Sequence, residues 1–121
     1  MVLIIGGEGS GKRTFARSLG YTEEEMSREI NSSLPVFYQL EQVLREDPSL
    51  ADSLLEPLCQ KDLVLCCETG SGVIPVSREE RLAREATGRL CVLLAQRADS
   101  VVRMVAGIPI AIKGGLPCGR I

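Results

Sequence analysis

The sequence predicts a single α/β domain: a small, mostly parallel sheet with helices on both faces and an antiparallel hairpin at its C-terminal end. Three observations carry this expectation. "VLII", residues 2–5, reads as a strand buried on both sides and runs straight into glycines. Strand-like and helix-like segments then alternate, the order of a parallel sheet with crossover helices. "SVVRMVAG" and "IPIAIKG" finally pair through a turn at Gly107, far too short for a crossover. With 121 residues, 45% of them hydrophobic and 25% charged, the chain has enough for one core. No repeat or linker divides it, so residues 1–121 are read as one domain.

After the first strand and its glycines, residues 11–19 read as a helix. "YTEEEMSREINSS" carries a capping box, Thr22 with Glu25, and an acidic first turn, which predicts a second helix ending at Ser32 and Ser33. Pro35 suits the first position of another helix, with Val36, Leu40, Val43 and Leu44 on one face. Asp47-Pro48 stops it and opens "SLADSLLEPLC", which Pro57 limits or kinks. "DLVLCC", residues 62–67, reads as a second buried strand, and "ETGSGVIP" as a loop. A charged helix follows over about 77–97, with Leu82, Ala86, Leu90, Leu93 and Leu94 at helical spacing. Four strands make a narrow sheet with open edges, which predicts a homo-oligomer, a dimer or trimer.

Composition removes several functions. A net charge of −2 gives no electrostatic footprint for nucleic acid or an anionic membrane. Two Phe, two Tyr and no Trp leave little to stack on bases. "MVLII" is too short for a signal or membrane segment. The five cysteines are odd in number and lack a CxxC spacing, and neighbours Cys66 and Cys67 should face opposite sides of a strand. Buried thiols in a reduced, cytoplasmic setting are expected. Histidine is absent, which removes the commonest acid–base group and one covalent nucleophile.

The stretch "GGEGSGK", placed between a strand and a helix, has the form of a P-loop NTPase-like phosphate cradle. Gly6, Gly7, Glu8, Gly9, Ser10 and Gly11 can turn backbone amides inward around phosphate oxygens, and Lys12 adds an ammonium. The Ser or Thr that ordinarily binds Mg²⁺ next is Arg13, a donor-only group that repels a cation. Thr14 offers a hydroxyl one residue later, about 100° around the helix. Magnesium binding is therefore expected to be weakened. A turn that merely packs a helix on a strand is the plain alternative; the strand before and helix after favour the cradle.

Downstream, "CCETGSGVIPVSREERLAREATGRLCVLLAQRADSVVRMVAGIPIAIKG" is the more specific signal. Taken with "GGEGSGK", it resembles the cobinamide kinase / cobinamide-phosphate guanylyltransferase family of cobalamin biosynthesis. That family carries GGxRSGKS, then NEVGxGIVP, RxFRDxxGxxNQxxA and AdxVxxvvsGixxxiK. Glu68, Gly70, Gly72 and Pro75 fall on the second pattern; Arg81, Arg84, Glu85, Gly88 and Ala95 on the third; Asp99, Gly107 and Lys113 on the last. The resemblance covers residues 2–18 and about 61–114. It implies a P-loop α/β oligomer that phosphorylates the aminopropanol hydroxyl of cobinamide from a nucleoside triphosphate, then moves GMP through a guanylylated histidine.

The departures are equally concrete. About 50 residues lie between Lys12 and Asp62, roughly half the family spacing, so two central strands, the histidine segment and an acidic strand end are expected to be missing. Without histidine the guanylyl route is closed. Cys91 and Val92 stand where the family has Asn-Gln.

Lys12 and Glu68 are the candidate catalytic residues: Lys12 for the phosphates, Glu68, at a strand's C-terminal end, for Mg²⁺ or the acceptor hydroxyl. Thr14 is a weaker metal candidate. Gly70 and Gly72 would form a loop beside the nucleotide, or simply a turn. Arg81 and Arg84 would meet phosphate or a neighbouring subunit, or form a solvated face with Glu79, Glu80 and Glu85. Arg13 could serve as an extra phosphate ligand. Two functions follow: a reduced kinase using ATP or GTP on cobinamide, or a non-catalytic nucleotide- or phosphate-binding relative with an assembly or regulatory role.

Overall fold

Alternation along the strands builds two cores, one on each side of a single sheet. In the computed structural model, which describes residues 1–68 and 77–121, β1 (Val2–Gly6) sends Val2 and Ile4 to one face and Leu3 to the other. On the first face lies α1 (Lys12–Ser18), with Ala16, then Leu19 and Tyr21, over Val2, Ile4, Leu63 and Leu65. A 3-10 turn at Glu23–Glu25 leads to β2 (Met26–Ser27), and β3 (Val36–Phe37) follows. The opposite face is covered by α2 (Leu40–Glu46) and α3 (Ala51–Cys59), joined by a turn in which Asp47 caps the backbone of Ser49 at 3.1 Å. After β4 (Leu63–Cys67), α4 (Arg78–Arg97) packs against both, and Arg97 is tied to Glu56 of α3 by two hydrogen bonds of 2.9 and 3.2 Å. β5 (Ser100–Val105) and β6 (Ile108–Lys113) end the sheet.

The strand order is β2-β3-β4-β1-β5-β6. The first five run parallel and β6 is antiparallel to β5, so the α/β class, the helices on both faces and the closing hairpin are as the sequence indicates. The hairpin turns through Ala106 and Gly107, both at positive φ (50° and 78°), the geometry whose twist suits a two-residue turn. Among the described residues no helix is long and apolar enough to cross a membrane.

Three readings of the sequence are corrected. The sheet has six strands among the described residues, not four. Val36 and Phe37, read as the start of a helix, pair instead with Leu63 and Val64 of β4, and the helix begins only at Leu40. Burying both side chains between two layers outweighs the helix-start signal of Pro35. The helix expected from Thr22 stops after one turn, because Met26 is drawn into the sheet beside Val36. Its capping box is real: the Thr22 backbone N–H donates to Glu25 Oε1 at 3.1 Å. In α4 the buried stripe runs through Ala83, Ala86, Thr87, Leu90 and Leu94, while Leu82 and Leu93 are exposed.

The segment after β6 returns across the first face. Arg120 stacks on the Tyr21 ring at 4.4 Å and donates to both carboxylate oxygens of Glu25 at 2.7 and 2.6 Å. That hydrogen bonding, helped by the Thr22 backbone, holds the Glu25 carboxyl down at about 2 against an ordinary 4.5. A folded value below the unfolded one means this attachment stabilises fully above about pH 4.5 and is lost as pH falls towards about 2. In Arg120→Ala, carboxyl NMR should find the Glu25 titration moved up towards the ordinary carboxylate value, with the Thr22 bond keeping part of the depression. The thermal midpoint of the variant should lie below the parent's at neutral pH and converge with it in strong acid.

Candidate functional site

β1 ends where the chain must turn away from the sheet, and the turn is made by residues 7–11. Gly6 permits it because two neighbours crowd its α-carbon: a Cβ there would strike Ser10 Oγ and lie 2.8 Å from the Met104 carbonyl oxygen. Gly11, at φ 98°, then starts α1 in a conformation that side chains resist. The β5–β6 turn supports the loop from behind, where the Gly107 N–H donates to the Ser10 carbonyl at 2.9 Å. At the β4 end, the Glu68 N–H donates to the Gly6 carbonyl at 3.1 Å.

Lys12 curls over this turn. Its ammonium donates to the carbonyls of Gly6 and Gly7, at 3.1 and 2.9 Å, and meets Cys67 Sγ at 3.5 Å. Burial pushes the Cys67 thiol above its ordinary value, the Glu41 carboxylate adds to that, and the Lys12 charge opposes it. The lysine is thus poised at the loop mouth, held by neutral groups that an anion can displace.

The loop forms one wall of a cleft of about 870 Å³ at the C-terminal end of the sheet, where parallel α/β folds place ligands. Of the residues proposed from sequence, Gly7, Glu8, Gly9, Ser10, Gly11, Lys12, Arg13, Thr14, Glu68 and Arg84 all line it. Gly6 contributes its carbonyl beneath Lys12. Arg81 does not line the cleft: it is exposed on α4, where Ala83, Arg84 and Thr87 turn inwards. Gly70, Gly72 and most of the "ETGSGVIP" loop lie outside the described residues.

Arg13 is engaged by its surroundings. Its guanidinium is paired with Glu23 and lies 4.9 Å over the Tyr38 ring. The hydrogen bond from Arg13, reinforced by Arg17, keeps the Glu23 carboxyl below its ordinary value. Thr14 Oγ1 accepts from Arg17 at 3.1 Å. Glu68 accepts two hydrogen bonds from Arg103, at 2.6 and 3.1 Å, a fork on a carboxylate that is largely shielded from solvent. Thr14 and Glu68, the two metal candidates of the sequence, are therefore both hydrogen-bonded to arginines. Among the described residues no cluster of three His, Cys, Asp or Glu side chains is arranged to hold a metal.

The sequence reading missed the opposite wall, which comes from α2 and the two residues before it: Tyr38, Gln39, Glu41, Gln42 and Arg45. Glu41 accepts the Cys67 backbone N–H at 2.9 Å, joining α2 to the end of β4. The available signal was position, since residues just beyond a parallel strand line the ligand crevice. Reading Val36–Phe37 as helix hid it.

The family model for cobinamide kinase / cobinamide phosphate guanyltransferase matches residues 36–112, more than half of the chain. The match begins at β3, beyond the glycine loop, and takes in residues 36–60, where the sequence showed no visible resemblance. No curated protein matches the chain.

Replacing Gly6 by Ala should cost about 1–3 kcal/mol of stability in urea unfolding, because the added methyl meets fixed backbone. Gly7→Ala, whose Cβ meets nothing within 4 Å, should stay within about 0.5 kcal/mol of the parent.

Proposed function

The chain belongs to the cobinamide kinase / cobinamide phosphate guanyltransferase family, and from that premise we propose that its cleft binds ATP or GTP and passes the terminal phosphoryl group to the aminopropanol hydroxyl of cobinamide. Membership supports a nucleotide-binding role in cobalamin biosynthesis; the kinase step is the part proposed. The observation that carries it is Lys12, resting on the Gly6 and Gly7 carbonyls at the mouth of a cleft lined by the glycine loop.

Phosphoryl transfer consists mainly of positioning and charge neutralisation. The loop amides and Lys12 take the phosphates, and Arg84 adds a cation from α4. Glu68 receives the proton of the acceptor hydroxyl while Arg103 fixes its carboxylate. With no histidine in the chain, a guanylylated histidine has no residue to form on, so guanylyl transfer by that route is outside the proposal. Thr14 and Glu68, the groups that would hold Mg²⁺, accept hydrogen bonds from Arg17 and Arg103, so the cation would arrive with the nucleotide. Arg13, released from Glu23, replaces part of the metal's charge on the phosphates.

A second reading, a non-catalytic nucleotide or phosphate binder with an assembly or regulatory role, is favoured by the same two arginine-occupied groups. Both readings accommodate a homo-oligomer, a dimer or trimer. The outer strand β6 exposes Ile108, Ile110 and Ile112, an apolar edge that another subunit would cover.

Calorimetry with ATP and GTP, with and without Mg²⁺, tests the site. Lys12→Ala should weaken binding at least about tenfold, the value of one charge-assisted contact. Arg13→Thr, which restores a hydroxyl, should make binding depend more strongly on Mg²⁺. No binding of either nucleotide, nor of inorganic phosphate or pyrophosphate, to the parent chain would overturn both readings. Phosphorylation of cobinamide by the parent, lost in Lys12→Ala, separates the enzyme from the binder.

A further inference from the structure

Behind the cleft, two thiols from different elements meet. Cys66, on β4, is fully buried and faces the α2–α3–α4 side of the sheet. Cys91, on α4, is half-buried against the same core, and the two sulfurs share a hydrogen bond at 3.6 Å. Their neighbours are parts of the site: Thr87, one turn before Cys91, lines the cleft, and Cys67, next to Cys66, touches Lys12.

The geometry points to Cys66 and Cys91 as a site of reversible oxidation, at which a peroxide closes the pair to a disulfide that ties β4 to α4 beside the cleft. The half-buried Cys91 is the thiol an oxidant reaches first. Its hydrogen bond with Cys66 lowers the Cys91 pKa, while the same bond and burial push Cys66 well above the ordinary thiol value. Of the two thiols, the outer one is the more readily ionised.

In the first step the Cys91 thiolate attacks a peroxide oxygen; the O–O bond breaks, leaving a sulfenic acid and hydroxide, or an alkoxide from an organic peroxide. The Cys66 sulfur then attacks Cys91 Sγ, an S–S bond forms, and the sulfenic oxygen departs with the Cys66 proton as water. Two thiols are oxidised and one peroxide is reduced by two electrons. A dithiol reductant restores both thiols by exchange. Closing from 3.6 Å to a bonded distance of about 2 Å draws the turn of α4 bearing Thr87 towards β4. Cys67 stays outside the pair because strand alternation points it to the lysine.

The test treats the reduced full chain with hydrogen peroxide, denatures and alkylates it, and maps the peptides by mass spectrometry. Cys66 and Cys91 should lose alkylation together, as an intramolecular link that dithiothreitol reverses. Cys91→Ser should slow the loss of Cys66 alkylation at least about tenfold. Cys67→Ser should leave the link unchanged; it also resolves the neighbouring cysteines and keeps the test decisive if Cys91→Ser does not fold. A link through Cys67 or Cys59, a link only between chains, or a Cys91 that over-oxidises while Cys66 stays free would overturn the inference.

Discussion

The placement of β1 between β4 and β5 is the constraint on which the rest depends. Both pairings are parallel and in register from Val2 to Gly6, so the strand ends level with Cys67 on one side and Met104 on the other. The chain can leave only through a gap bounded by those neighbours, and Gly6 fits because it has no side chain. The glycine loop, the β5–β6 turn at its back and the Lys12 ammonium across its mouth all follow from that exit.

Among the described residues, charge in the cleft is arranged around arginines. Arg13 is held by Glu23 and Tyr38, Thr14 by Arg17, and Glu68 by Arg103. Arg13 is thus part of a wider pattern, in which guanidinium groups take up the hydroxyl and carboxylate oxygens at the cleft. An arginine brings a fixed charge and a planar fork, suited to phosphate oxygens but unable to bind a metal ion. The same pattern supports both a metal-poor kinase and a protein that only binds.

The long and strongly patterned elements were legible in the sequence: the buried strand at 2–5, the 77–97 helix and the two closing strands all appear close to their expected bounds. Residues 22–39 were not, because local signals and tertiary pairing disagree there. Thr22 and Glu25 do form a capping box, yet Met26 joins the sheet; Pro35 suits a helix start, yet Val36 and Phe37 fill the space beside β4. Strands of two residues carry no period to detect. Reading those residues as helix removed the α2 wall from the candidate site, whereas the residues from Gly7 to Thr14 do line the cleft. The partnership of Glu68 with Arg103 joins residues 35 apart, and no spacing rule exposes it.

Backbone amide resonances observed while ATP or pyrophosphate is titrated into the chain test the central claim most directly. The account predicts that the largest shifts fall on the amides of Gly7 to Lys12, with Gly107 following through its bond to Ser10. Shifts centred on α2 or β6, with the glycine-loop amides unmoved at saturating ligand, would contradict it.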